Sequence, residues 1–241
     1  MSQIKEQPLV AKVEKIAPIR KAIAINLKEV MNSVAYCSLD MEAKMKKLWD
    51  HRAAVNKVAL EKHNLKLTFL PWIIKAASIA LSEFPVFTAK FDETTGEVSY
   101  PSTIDISIAV DTPYGLVVPV IRGIENLSLV QIQQEITRLS GLARDRKLSM
   151  KDMMGGCFTV TNVGSVGVIS GSPIMNKGQL SIIATGRIKD TVIVEEGNIV
   201  PSKIMNISIA ADHRWVDGAD MGRFTGRIIE LLENPESLGE I

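Results

Sequence analysis

Two rhythms of hydrophobic and polar positions run through this chain. Ile104, Ile106, Ile108 and Val110 alternate strictly with Asp105, Ser107 and Ala109, the period-two pattern of a half-buried strand. Ile207 and Ile209 repeat it against Asn206 and Ser208. Elsewhere the spacing is helical. Ile19, Ile23, Leu27 and Val30 follow Pro18, which suits a first helical turn, and Met221, Phe224, Ile228, Leu231 and Leu232 follow Gly218. The pattern predicts further helices over residues 41–62 and over 71–84, where Pro85 stops the run. Another follows Ser128, which makes a capping-box pattern with Gln131 ahead of Ile132, Ile136, Leu139 and Leu142. Strands are predicted over 86–91 and 97–100 around a Thr95-Gly96 turn, over 116–121, 157–163 and 181–188. A last hairpin turns at Glu196-Gly197-Asn198. Helices and strands mixed throughout predict a sheet covered by helices. Residues 1–15 read as a charged, weakly structured arm and 16–241 as one domain, without repeats or low-complexity linkers.

Composition narrows the class. Hydrophobic residues make up 46% of 241, enough for a full core. The net charge is +1, and no basic stripe carries interleaved aromatics, which argues against a nucleic-acid partner. The longest apolar runs are too short to span a bilayer, and residues 1–7 lack the apolar centre of a signal peptide. Cys37 and Cys157 form no metal spacing and suit a reducing compartment. A soluble cytoplasmic protein is expected.

The candidate chemistry lies in Ala211-Asp212-His213-Arg214-Trp215-Val216-Asp217-Gly218. Of three histidines, His213 alone stands in a punctuated frame, at the end of an alternating strand and four residues before Asp217. That is a rigid place from which to move a proton, although a lone histidine there also reads as a surface or capping residue. His51 and His63, on and at the end of a charged helical stretch, read as solvated.

Three more segments stand in register with this one: Leu67-Thr68-Phe69-Leu70-Pro71, Ala109-Val110-Asp111-Thr112-Pro113-Tyr114-Gly115-Leu116-Val117-Val118-Pro119-Val120-Ile121, and Phe158-Thr159-Val160-Thr161-Asn162-Val163-Gly164-Ser165. Together, over about residues 16–241, the four closely resemble the catalytic core of the dihydrolipoamide acyltransferases of 2-oxo acid dehydrogenase complexes, most of all the bacterial pyruvate-complex acetyltransferases. The resemblance implies an α/β two-layer sandwich with a mixed sheet, like chloramphenicol acetyltransferase. It further implies a homotrimer with its active site between subunits, built into a larger cubic or dodecahedral core. The partners it implies are a lipoyl domain and the 2-oxo acid decarboxylase and dihydrolipoamide dehydrogenase components.

The implied reaction moves an acyl group, with acetyl expected, between the thiols of dihydrolipoamide and coenzyme A. A thiol of ordinary pKa about 8.5 is mostly protonated at neutral pH, whereas an imidazole, titrating near 6.5, can accept its proton during attack. The resemblance makes His213 that base. Thr161 matches the hydroxyl that donates to the tetrahedral oxyanion, and Asp217 a position that fixes the loop near the histidine. For coenzyme A it implies contacts from Arg52, Thr68, Asp111, Asn162, Ser165 and Gly186. Arg52 would meet a phosphate, Asp111 a hydroxyl or amide donor, and Gly186 would let the backbone approach the ligand. Without the resemblance these are a solvated helix face, a helix cap and turn residues. Cys157, four residues before Thr161, would give a covalent route through a cysteine–histidine pair, but direct transfer between thiols needs no enzyme nucleophile and a packed strand cysteine is expected.

No lipoyl-type Asp-Lys-Ala hairpin and no Ala/Pro-rich linker stand in this sequence, so the lipoyl group is expected on a separate domain or chain. The apolar C-terminal end, from Leu238 to Ile241, is expected to hold trimers together. Branched-chain or succinyl transfer, another coenzyme A acyltransferase chemistry and a non-catalytic scaffold remain alternatives. A pure scaffold has no reason to keep His213, Thr161 and Asp217 together.

Overall fold

A computed structural model describes residues 12–239. Most of the arm predicted over residues 1–15 lies outside that range, and residues 12–17 carry no helix or strand. Helix α1 spans Pro18–Ser33 and β1 Tyr36–Lys44; helices α2 (Lys46–His63) and α3 (Leu70–Glu83) follow. A short hairpin, β2 (Lys90–Asp92) and β3 (Glu97–Ser99), precedes β4 (Ile106–Ile108) and β5 (Val120–Ile121). Then come α4 (Leu129–Arg144), α5 (Met150–Met153), β6 (Phe158–Asn162) and β7 (Ser181–Thr185). The chain closes with β8 (Lys189–Glu195), β9 (Asn198–Asp212) and α6 (Gly218–Glu233).

Seven strands form one mixed sheet in the order β1-β9-β7-β6-β4-β5, with β8 paired to β9, while β2 and β3 form a separate two-stranded sheet. β6 runs parallel to both β4 and β7, and the other pairs are antiparallel. Strand alternation sends Ile207, Ile209, Phe158, Val160, Ile106 and Ile108 into the main core with the helices. α3, apolar on nearly every side, packs against both α4 and α6. The opposite face carries Thr159, Thr161 and Ser208, and a smaller cluster of Val30, Met175, Ile182 and Ala210 forms under α1 and the segment after β6. The capping box of α4 forms as the sequence predicts, with Ser128 Oγ accepting from Gln131 N and Gln131 Oε1 from Ser128 N. The β8–β9 turn also holds: Glu196 and Gly197 take φ of 48° and 81°, the pair of left-handed residues that suits the strands' twist.

Three expectations are corrected. Residues 41–44 are strand, not helix: Met41, Glu42, Ala43 and Lys44 favour helix locally, but pairing with β9 overrides that preference. Residues 85–88 form a 3₁₀ turn that begins at Pro85, so of the strand predicted over 86–91 only Lys90 and Phe91 are strand, in β2. Leu238 is buried in the chain's own core at the end of a 3₁₀ turn over Pro235–Leu238, not left as an apolar tail, and residues 240–241 lie outside the described range.

Candidate active site

The parallel strands β4, β6 and β7 end together, and the loops after them wall a cleft of about 1190 Å³ with α2, α3 and α4. Open sheets characteristically present ligand crevices at the carboxyl ends of their strands. Thr68, Asp111, Thr161, Asn162, Ser165 and Gly186 all line this cleft. Arg52 stands at its wall: its Nε donates to Leu67 O at 2.9 Å and its guanidinium lies 4.4 Å over the ring of the lining residue Phe69. Partial burial pulls the Arg52 pKa down, as it does for a cation without a carboxylate beside it. Arg144 and Arg187 line the cleft too, and among the described residues neither forms an ion pair. Among the described residues Asp111 is the one acidic residue in the lining, so the cleft suits an anionic ligand. Sequence reading missed these two arginines, because exposed arginines at a helix end and in a loop carry no pattern of their own.

Individual residues are held as follows. Thr68 donates both its N–H and its hydroxyl to Gln133 Oε1, at 2.8 and 2.9 Å, which leaves the hydroxyl oxygen free to accept. Asn162 Oδ1 accepts from Gly164 N at 2.9 Å and so shapes the turn carrying Ser165. Gly186 has a reason inside the chain: a Cβ there would lie 1.8 Å from the carbonyl oxygen of Ile169, so the crossing backbone requires glycine. Cys157 is buried, donates to Asp105 O at 3.3 Å, and burial pushes its thiol pKa up. A thiol so placed is a poor nucleophile. His63 is exposed, but His51 is half-buried, edge-on to Trp72 at 5.2 Å and within 3.9 Å of Glu236.

A second cleft of about 860 Å³ opens on the other sheet face, under α1, with Ile19, Ile23 and Leu27 in its wall. Thr161, Ala109, Leu116 and Val163 line both clefts, so the two meet at Thr161. The Thr161 hydroxyl has no hydrogen-bond partner among the described residues.

His213 lies elsewhere. Thr161 pairs with Ala184 and Ala184 with Ser208, so His213 stands five residues farther along and two strands across. At about 3.3 Å per residue and about 4.8 Å per strand, the two are roughly 20 Å apart. His213 is exposed and lines neither cleft. Its turn is fastened by its neighbour: the buried Asp212 carboxylate accepts from Ala35 N and Arg214 N, at 3.1 and 3.2 Å, and forms a two-pronged pair with the Arg214 guanidinium. Burial alone would push Asp212 up; these hydrogen bonds outweigh it and hold the carboxyl below its ordinary pKa. Asp217 caps the start of α6 through its backbone carbonyl, and its carboxylate makes no hydrogen bond among the described residues. Within the chain it is Asp212 that fastens the His213 turn.

Residues 9–240 match the catalytic domain of the 2-oxoacid dehydrogenases acyltransferases. The chain belongs to that family. It is 37% identical over 218 residues to the dihydrolipoyllysine-residue acetyltransferase component of the pyruvate dehydrogenase complex of Mycoplasma pneumoniae, covering 90% of this chain and 54% of the relative. It is 40% identical over 225 residues to the mitochondrial succinyltransferase component of the 2-oxoglutarate dehydrogenase complex of Homo sapiens, covering 93% and 50%. The chain thus spans about half the length of the curated relatives it matches. Two solved structures superpose with TM-score 0.89 at 30% identity over 98% of this chain and 99% of theirs. One is the cubic core of the pyruvate dehydrogenase multienzyme complex; the other comes from work on the role of a serine, a histidine and an asparagine in the catalytic mechanism of Azotobacter vinelandii dihydrolipoamide acetyltransferase. Chloramphenicol acetyltransferase shares the fold, with TM-score 0.52 at 13% identity over 90% of this chain and 96% of that one. The acyltransferase fold expected from the sequence is therefore present. Among the described residues no helix is long and apolar enough to cross a membrane.

Proposed function

We propose that this chain transfers an acyl group, acetyl in the first instance, between the thiols of dihydrolipoamide and coenzyme A, in the catalytic core of a 2-oxo acid dehydrogenase complex. The meeting of two clefts at Thr161 carries this reading, because transfer between two carrier thiols needs both carriers to reach one point. Coenzyme A takes the cationic cleft, with Arg52 on a phosphate and Thr68, Asp111, Asn162, Ser165 and Gly186 along its length. The lipoyl group, carried on a separate domain or chain, enters from the apolar side.

His213 accepts the proton of the attacking thiol as its sulfur bonds to the thioester carbonyl carbon. The carbonyl oxygen becomes an oxyanion, to which the Thr161 hydroxyl donates. Collapse breaks the other carbon–sulfur bond, and the leaving thiolate takes the proton back from the imidazolium. A separation of roughly 20 Å along the sheet forbids this within one copy, so His213 of one copy works with Thr161 of another. The studied serine, histidine and asparagine of the Azotobacter chain stand 52 and four positions apart, and Thr161, His213 and Asp217 stand 52 and four apart here. The likeness to a cubic core supports a trimer built into a larger particle; the 2-oxo acid decarboxylase and dihydrolipoamide dehydrogenase components are its partners in this reading.

The succinyl reading is retained because the human succinyltransferase component is 40% identical over 93% of this chain. One assay tests both: transfer to free dihydrolipoamide from acetyl-, propionyl-, isobutyryl- and succinyl-coenzyme A. Preference for acetyl supports the first reading and preference for succinyl replaces it. No turnover from an assembled particle rejects acyl transfer to this acceptor.

A further inference from the structure

Among the described residues the hairpin β2–β3 is hydrogen-bonded to no other strand, and an isolated two-stranded hairpin has little stability of its own. What it touches is the turn that presents His213. Phe91 of β2 stacks face to face on Trp215, with centroids 4.2 Å apart and planes 8° from parallel. Glu93, at the hairpin's tip, accepts from Arg214 Nη1 at 2.7 Å, across 121 residues of sequence. Arg214 presents its Nε and Nη2 to Asp212, so one guanidinium is held between a buried carboxylate and the hairpin. Asp212 in turn binds Ala35 N, and the His213 N–H donates to Ala35 O at 2.8 Å. The tip is itself ordered, because the Asp92 carboxylate accepts from the backbone of Thr94 and Thr95. The two residues flanking His213 on its C-terminal side are thus gripped from one direction and its own backbone from the other.

We propose that the β2–β3 hairpin braces the His213 turn, with Phe91 and Glu93 as positioning residues that aim the imidazole at the Thr161 of a neighbouring copy. The inference rests on the acyl-transfer reading above. An exposed ion pair contributes little to stability, so a purely structural Glu93 would be nearly silent on substitution. A positioning Glu93 would not be, because a misplacement on the order of 1 Å at a reacting group lowers rates severely.

The test compares Glu93→Gln, Phe91→Leu and Phe91→Tyr with the unaltered full chain, all shown by light scattering to form the same particle. Two quantities are read: acetyl transfer from acetyl-coenzyme A to dihydrolipoamide, and the rate at which diethylpyrocarbonate modifies His213 relative to the exposed His63, by mass spectrometry. Glu93→Gln and Phe91→Leu should each lower kcat about tenfold with KM for both substrates little changed. His213 should react severalfold faster in both, and Phe91→Tyr, which keeps the stack, should behave as the unaltered chain. Unchanged kcat in Glu93→Gln and Phe91→Leu overturns the brace, and so does a fall in kcat with His213 reactivity unmoved. If Phe91→Leu fails to assemble, Glu93→Gln decides, since its side chain is 62% exposed. If the unaltered chain transfers no acetyl group, the acyl-transfer reading fails, while the His213 reactivity still supports or overturns the brace.

Discussion

The two ends of the central sheet are built on different principles. At the Thr161 end, parallel strands stop in step, and small polar residues just past them wall a cleft; Thr161 takes its place from strand alternation within β6. At the His213 end, β9 runs out into an exposed turn whose shape depends on Asp212, Arg214, Ala35 and a hairpin far away in sequence. The first end makes a ligand-sized space without a base. The second holds a histidine without a space. In the proposed chemistry a single chain therefore carries two half-sites, and their separation is what makes association part of that chemistry.

Breaking either half should be costly. His213→Ala should lower acyl transfer by two orders of magnitude or more with the particle intact, read in a coupled assay. Thr161→Ala should lower kcat somewhat less, by up to about a hundredfold, with little change in KM; a change in KM alone would make Thr161 a ground-state contact. Co-expressing these two variants sharpens the comparison. Mixed particles should regain activity, because some interfaces then pair an intact His213 with an intact Thr161. Failure to recover would place both residues in one copy's site.

Smaller effects separate how the two ends are held. Asp212→Asn should cost about 2 kcal/mol of stability near neutral pH, since charged hydrogen-bond donors lose their carboxylate. The folded-state pKa of Asp212 is depressed, so its contribution is present above the ordinary carboxylate range and is lost as pH falls through the folded value. Thermal unfolding of the two proteins should therefore differ fully at neutral pH and converge in acid. Arg52→Gln at the other end should leave stability nearly unchanged and raise KM for coenzyme A about tenfold, the scale of one lost charge-assisted contact. An unaltered KM would make Arg52 a packing residue against Phe69.

Much of this was legible beforehand. Helical spacing after Pro18 and Gly218, the capping box at Ser128 and the Glu196-Gly197 turn all formed, because each is decided by neighbours within a few residues. The residues expected around coenzyme A also converge on one cleft, apart from Arg52, which stands behind Phe69. The misreadings have one physical origin. Met41 to Lys44 were read by helix preference, yet Cys37, Leu39, Met41 and Ala43 alternate toward the core once β9 offers nine residues of pairing. Gly186 lines the cleft, and the crossing Ile169 backbone is a further reason for glycine there that no local pattern shows.

By itself the sequence determined most of the element types, the capped ends and the four segments that mark the family, since periodicity, caps and motif order are all local. Tertiary structure alone decided that Thr161 and His213 stand roughly 20 Å apart, that two clefts join at Thr161, and that Glu93 reaches Arg214. Those are distances between residues remote in the chain. They depend on strand order, register and the path of the loops, which no local pattern encodes.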